Sequence, residues 1–439
     1  MMFRNVWNAK DGAPRRTLRV VAILLLVVTG SATAQSVLIR HATVHTAGAR
    51  GTLKNADVLV EGGIIRAVGA NLRAPAGVTV VEADGRPLTP GLFGGVSDIG
   101  LEEVSAENST VDDALAFGGD GQAPQMRPEF DVTLAYNPDS VLIPVARLDG
   151  LTFTALSANS GAGGSLIAGQ GSVVRLDGNY ADPIGSHLLY TAIGSGADAL
   201  GGKSRAGQFM LLDQALREAR GRTPYGSPNA LLTPAGRETL ARYLSGGKVL
   251  FNVDRAADIH QVLAFSRRNG LHPIIVGGAE AWKVASELAA ANVPVILDSL
   301  QNLPDSYDRL GSRLDNAALL HRAGVRVAFT QFEFASSNAR KVRQEAGNAV
   351  ANGLPWDAGL AGLTSVPATA LGVGDKVGRI EVGLIADLVL WSGDPLEVTT
   401  LADQVWMRGK AMPMVSRQTE LRDRYLAAPT ALPRAYSGR

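Results

Sequence analysis

The chain has no cysteine and only six histidines in 439 residues. The first absence excludes disulfides, thiolate metal sites and cysteine nucleophiles. The second confines imidazole chemistry to His41, His45, His187, His260, His272 and His321. Neither sign of charge is in excess: 42 basic residues face 41 acidic ones, for a net charge of +1, and five of the basic residues fall in the first 19 positions. That balance gives no basic face of the kind nucleic-acid binding needs. The apolar run "VVAILLLVVTG" (20–30) falls short of the about 20 residues a bilayer span requires.

What is present begins with a targeting pattern. Arg4, Lys10, Arg15, Arg16 and Arg19 precede that run, and "ATA" (32–34) supplies a small-x-small cleavage site before Gln35. Residues 1–34 are therefore predicted to be a signal peptide cleaved near Ala34-Gln35. The remainder would be periplasmic or secreted, by Sec or twin-arginine export, with no membrane span in the mature chain.

Between 36 and 90, short β-branched runs are divided by Gly and Pro, and the same texture returns in "GRIEVGLIADLVLWSGDP" and "VTTLADQVWMRGKAM". Segments 35–90 and 376–416 are predicted to build one small β-sandwich from both ends. Residues 91–375 alternate differently: "KVLFNVD", "HPIIVGG", "PVILDS" and "RVAFTQ" read as strands, with "ADIHQVLAFSRRNG", "AEAWKVASELAAANV" and "DNAALLHRAGV" as helices. Such βα units imply a parallel sheet. Their length suits an eight-stranded barrel; a doubly wound open sheet has the same periodicity. Residues 102–140, polar and rich in Gly and Pro, read as a loop insertion over the barrel mouth, and 417–439 as a charged helix and tail.

Several motifs reduce to plain structure. His41 and His45 lie four apart in strand text, where that spacing is about 13 Å, so one ion cannot bridge them. His260 and His321 sit in helices, and His272 opens a strand at the end opposite a barrel's functional rim. "SANSGAGGSLIAGQGSVVRL" (157–176) lacks a dinucleotide fingerprint. "LGGKSR" (200–205) has Ala197 where a phosphate loop needs glycine, which makes Lys203 a surface residue. Ser97 in "GVSDI" has Ile99 where a nucleophile elbow needs glycine, and no histidine base. Asp98, Asp254 and Asp298 fall at strand C-termini, where they either cap backbone amides or form an oxygen-only site for a hard cation.

Two stretches carry a family resemblance. "TSVPATALGVGDKVGRIEVGLIADLVLWSGDPLE" (364–397) and "PGLFGGVSD" (90–98) resemble the amidohydrolase superfamily, and within it the imidazolonepropionase-like group. The resemblance implies an α/β fold: a (β/α)8 TIM-like barrel plus a small β-sandwich. It also implies hydrolysis of carbon–nitrogen bonds by metal-activated water, the metal held by two histidines on strand 1, one each on strands 5 and 6, and an aspartate on strand 8. Here those ligand positions hold Val96, Asp98, Asp254, Gly277 and Gln331. Valine and glycine have no side-chain donor, and glutamine is neither a strong ligand nor a base.

Two readings follow. In the first, the chain is a degenerate amidohydrolase with no cofactor, acting as a binding or partner subunit for a ligand-complete amidohydrolase paralogue, or as a homo-oligomer. In the second, a rebuilt divalent-metal site around Asp98, Asp254 and Asp298, with Gln331 nearby, still hydrolyses C–N bonds. The loop at 102–140 and the helix at 417–428 are the candidate partner surfaces.

Overall fold

Apolar β-branched runs bounded by Gly and Pro become strands throughout. The computed structural model describes residues 36–426 apart from 116–125, 161–163, 182, 225, 302 and 334. The predicted signal peptide and the end of the tail lie outside those residues. The strands in chain order are β1 (Val37–His45), β2 (Thr52–Glu61), β3 (Ile64–Gly69), β4 (Thr79–Glu82), β5 (Pro87–Pro90), β6 (Leu92–Ser97), β7 (Leu151–Leu156), β8 (Ile167–Gly171) and β9 (Val173–Arg175). They continue with β10 (Leu188–Ala192), β11 (Lys248–Val253), β12 (His272–Gly277), β13 (Val295–Leu297), β14 (Val327–Phe329), β15 (Leu388–Trp391), β16 (Ala402–Met407) and β17 (Lys410–Ala411).

The two ends of the chain meet in one eight-stranded sheet, ordered β17-β16-β15-β5-β1-β2-β3 with β4 beside β1. The junction is β5 against β15, antiparallel, with Leu88 opposite Leu390. Behind it Trp391 is fully buried and donates its indole N–H to Thr89 Oγ1 at 2.9 Å. The apolar faces of β1, β2, β5 and β15 form a core of their own.

The middle of the chain forms two further sheets: β6-β7-β9, and the six-stranded β14-β13-β12-β11-β10-β8. β6 and β7 run parallel, as do β10 through β14. The exception to the expected all-parallel arrangement is the stretch at 167–175. β8 lies antiparallel to β10 and β9 antiparallel to β7, so this glycine-rich stretch joins the sheets as a reversed strand. No strand ladder closes β14 onto β6; the Thr330 hydroxyl crosses there, accepting from Val96 N–H at 3.0 Å and donating to Val96 C=O at 3.1 Å. The architecture is TIM-barrel-like.

Period-two alternation divides the strand residues. Phe153, Leu188, Tyr190, Leu250, Ile274, Val276, Ile296 and Ala328 pack together in one cluster. Their neighbours Leu189, Val249, Phe251, Ile275, Val295 and Phe329 pack in another with the surrounding helices. The helix Ala256–Asn269 shows the local logic of a βα unit. Ile259, Val262, Leu263 and Phe265 give it a buried stripe, and Gly270 ends it in the left-handed conformation at φ 70°.

One ion pair ties the two parts together. Arg175 at the end of β9 meets Asp387 in a bidentate fork, Nη1–Oδ2 2.6 Å and Nη2–Oδ1 2.9 Å, with Asp177 on its Nε at 3.1 Å. Asp387 also accepts the backbone N–H of Arg408 at 2.8 Å. Asp387 is the aspartate of the "IADLVL" signature, so that motif residue is a structural stitch. The helix Arg417–Leu426 has no buried residue. The 102–140 insertion carries no strand among its described residues, only short 3-10 turns, yet it buries Met126 and Val132. Among the described residues no helix is long and apolar enough to cross a membrane.

Candidate functional site

The C-terminal ends of the central strands open into a cavity of about 610 Å³. The last residues of β6, β10 and β11 line it, with both parities represented at the strand ends. Leu250, Asn252 and Asp254 follow one another every second residue and all line it, as do Tyr190 and Ala192 from β10 and Val96 and Asp98 from β6. Ser157, Asn159 and Ser160 enter after β7, and the segment after β13 contributes Asp305, Ser306, Asp308 and Arg309. No histidine lines it. His41, His187 and His260 are engaged by Glu82, Asp131 and Glu287 at 2.8, 2.8 and 2.7 Å, and His45 by Thr52 at 2.9 Å. His272 and His321 are exposed.

Of the residues singled out by sequence, Val96, Asp98 and Asp254 line the cavity, whereas Gly277, Asp298 and Gln331 do not. Asp254 is already matched to a cation: Arg309 Nε donates to its Oδ2 at 2.6 Å, and Ala279 N–H reaches Oδ1 at 3.2 Å. The same guanidinium donates through Nη1 to Asp305 at 3.0 Å. Gly277 has φ 92°, and a Cβ built there would stand 2.6 Å from Asp254 Oδ1. The carboxylate thus fills the space in which a side chain at 277 would begin. Val96 lines the cavity and is held by its backbone to Thr330, whereas Gln331 is half-buried and outside the lining.

Asp298 does not join the other two aspartates. It caps the backbone amides of Leu300 and Phe332 at 3.2 and 3.3 Å and faces the buried Glu345. Burial and then the Asp298 charge push the Glu345 carboxyl up to about 8; burial raises Asp298 as well. Glu345 in turn accepts from Ser299 Oγ and Leu300 N–H, both at 3.0 Å. The bonds from Ser299 and Leu300 fasten the segment after β13 to the helix Val342–Ala351.

Asp98 is the unmatched group. Only 8% of it is exposed, and its buried Oδ1 has no hydrogen-bond partner among the described residues. Burial, then the charges of Glu102 and Asp113, push its carboxyl up to about 7; its own backbone amide offsets them in part. The hydroxyl of Tyr190 is a second buried atom without a partner among the described residues, and burial raises its pKa. Arg309 and Tyr190 are not legible in the sequence as residues of the cavity. An arginine in the irregular "LPDSYDRLG" segment carries no periodic signal, and a tyrosine in an apolar strand reads as core.

Comparison with known proteins agrees with this architecture. The model of the amidohydrolase family matches residues 244–417. That segment, less than half of the chain, is similar to the amidohydrolase family. An amidohydrolase from Thermotoga maritima MSB8 superposes with a TM-score of 0.72 at 24% identity, covering 86% of this chain and 99% of that one. A prolidase solved with N-methylphosphonate-L-proline gives 0.52 at 15% identity, with the same coverage. The amidohydrolase tasK of Hapsidospora irregularis is 45% identical over 74 residues, which are 17% of this chain and 8% of that protein.

Amidohydrolases usually use a divalent metal, and the residues here do not fit one. Val96 and Gly277 offer no donor, Asp254 is neutralised by Arg309, and Asp298 is turned to Glu345. Among the described residues no group of three or more histidine, aspartate and glutamate side chains could hold an ion. The three rim aspartates of the sequence reading therefore do not form a common coordination sphere.

Proposed function

We propose that the chain is an exported, non-hydrolytic amidohydrolase of the imidazolonepropionase-like group, acting by binding rather than by activating water. One observation supports this reading: Arg309 closes on Asp254 beside Gly277, at positions that the resemblance assigns to metal ligands. A guanidinium supplies charge there, but it cannot lower the pKa of a bound water as a Lewis acid does. The barrel-like frame and a cavity within the usual ligand-binding size range of about 300–1,000 Å³ are kept, which favours retained binding.

The partner in this reading is a ligand-complete amidohydrolase paralogue, with a homo-oligomer as the second form of assembly. The helix Arg417–Leu426, which buries nothing, and the 102–140 insertion are the surfaces it would use.

Elemental analysis of the purified chain, followed by chelation, tests the chemistry. The expected result is no stoichiometric divalent ion and no amide hydrolysis that chelators remove. A bound ion whose extraction abolishes C–N hydrolysis would overturn the reading. Affinity capture from the native host tests the assembly: a histidine-complete paralogue should co-purify, and deleting the helix Arg417–Leu426 should lower its recovery.

A further inference from the structure

Residues 303–310 lie beside the cavity, and Asp305, Ser306, Asp308 and Arg309 form part of its wall. This segment is pinned at both ends. Before it, the Leu300 N–H donates to Asp298 Oδ1 at 3.2 Å and to Glu345 Oε2 at 3.0 Å. After it, Gly311 donates its N–H to Glu280 Oε1 at 2.8 Å and accepts the Trp282 indole N–H at 2.9 Å. The middle is attached differently. Its large apolar side chains are all outside: Leu303 is 73% exposed, Tyr307 86% and Leu310 61%. Of residues 303–310 only Asp308 is buried. Charge-assisted bonds hold the segment instead. Arg309 Nε donates to Asp254 Oδ2 at 2.6 Å, Arg205 pairs with Asp308, and the Ser195 N–H donates to Asp308 Oδ2 at 2.7 Å. Arg205 is itself anchored on Asp258 at 2.7 Å.

We propose that residues 303–310 are a gate of the cavity, hinged at Leu300 and Gly311 and closed by the pairs Arg309–Asp254 and Arg205–Asp308. Lifting a segment is costly chiefly when it takes apolar surface out of a core, and this segment has its apolar side chains in water already. Segments with few buried apolar contacts open locally well before the molecule unfolds. Both arginines are partly exposed, so water takes up their donors as the pairs part. The carboxylates are hydrated in the same movement, and no orphaned charge is left inside. Lifting then removes Asp305, Ser306, Asp308 and Arg309 from the wall together, because they lie between the same two pins. The hydrogen bonds at Leu300 and Gly311 stay closed and return the segment to its place. The gate concerns access alone and holds whatever the cavity takes.

The lack of any cysteine makes the gate testable with a single thiol. Asn252 is an exposed residue of the cavity wall, and Asn252→Cys places one thiol there in the full chain. Its labelling rate is measured with a small reagent, methyl methanethiosulfonate, and with bulky fluorescein maleimide. The expected result is bulky labelling that rises about fivefold or more when Arg309→Ala or Arg205→Ala is added, while the small-reagent rate changes by under about twofold. Tyr307→Ala, which alters an exposed side chain outside both pairs, should leave both rates as they were. Hydrogen exchange of the unmutated chain gives a readout that needs no variant to fold. The Ser195 amide, bonded to Asp308, should exchange well ahead of the Gly311 amide at the pinned end. Bulky labelling unchanged in both arginine variants, small and bulky rates rising together, or Ser195 and Gly311 exchanging in step would each overturn the gate.

Discussion

Two arginine–aspartate pairs sit in different parts of the molecule and do different work. Arg175 and Asp387, with side chains 7% and 3% exposed, are locked in a two-point fork where the composite sheet meets the central strands. Arg309 and Asp254, 20% and 13% exposed, touch through one N–H at the cavity mouth. The first pair has further hydrogen bonds on both partners, and it joins residues 212 apart in sequence. The second joins residues 55 apart, with Asp305 on the same guanidinium and Ala279 N–H on the same carboxylate. Beside it Asp98 has no counter-charge at all. Burial alone therefore does not separate structure from function here; what separates them is how completely each carboxylate is matched.

The comparison can be broken most forcefully at its structural end. Arg175→Ala strands the Asp387 charge in the interior and should cost about 3–5 kcal/mol, read by urea denaturation. A loss below about 1 kcal/mol would remove its claim to be the stitch between the two parts.

The unmatched carboxylate makes the next largest prediction, with a definite sign. The folded-state pKa of Asp98 is raised to about 7, above its unfolded value of about 3.9. Its stabilising contribution is therefore fully present below pH 4 and is lost as pH rises toward 7. Relative to Asp98→Asn, the wild type should lose on the order of 3 kcal/mol across that window and then level off. Paired denaturation curves at pH 4, 5.5, 7 and 8.5 would show it. A difference that stays flat would mean the carboxyl is matched after all.

Smaller effects sharpen the rim. Gly277→Ala should cost about 1–3 kcal/mol, since its φ of 92° is strained for any side chain and the new Cβ meets Asp254. Combining it with Asp254→Gly should recover the steric share in a double-mutant cycle. Arg309→Ala should destabilise by about 1–2 kcal/mol, clearly less than Arg175→Ala, with melting temperature as the readout. Glu287→Gln, which loosens the exposed contact to His260, should change stability by under about 0.5 kcal/mol.

Much of the frame was legible because it is written in periodicity. The strands at 248–253, 272–277 and 295–297 and the helix ending at Gly270 follow from alternation, helical spacing and a glycine stop. The meeting of the two chain ends follows from their shared β texture, but they form one sheet, and the expected sandwich is not shown. The absence of histidine from the cavity lining was legible as well, since six histidines are few and all lie in other text. The reversed strand at 167–175 was not, because apolar glycine-rich text carries no direction. The site itself was legible only in part. Asp98 and Asp254 were found by their place at strand ends, but nothing in the sequence says that Arg309 returns from an irregular segment to neutralise one and not the other. Asp298 shows the same limit: position put it on the rim, and a glutamate 47 residues later draws it away.

The junction of β5 with β15 also bears on how the chain comes to be folded. Trp391 reaches Thr89 across 302 positions. At synthesis rates of about 5–20 residues per second, roughly 15–60 s separate their emergence. For that interval the first strands carry an unmet hydrogen-bonding edge, which is an invitation to aggregate. The sheet is therefore completed only when the last strands arrive, and trimming the chain before residue 388 would make the exposure permanent.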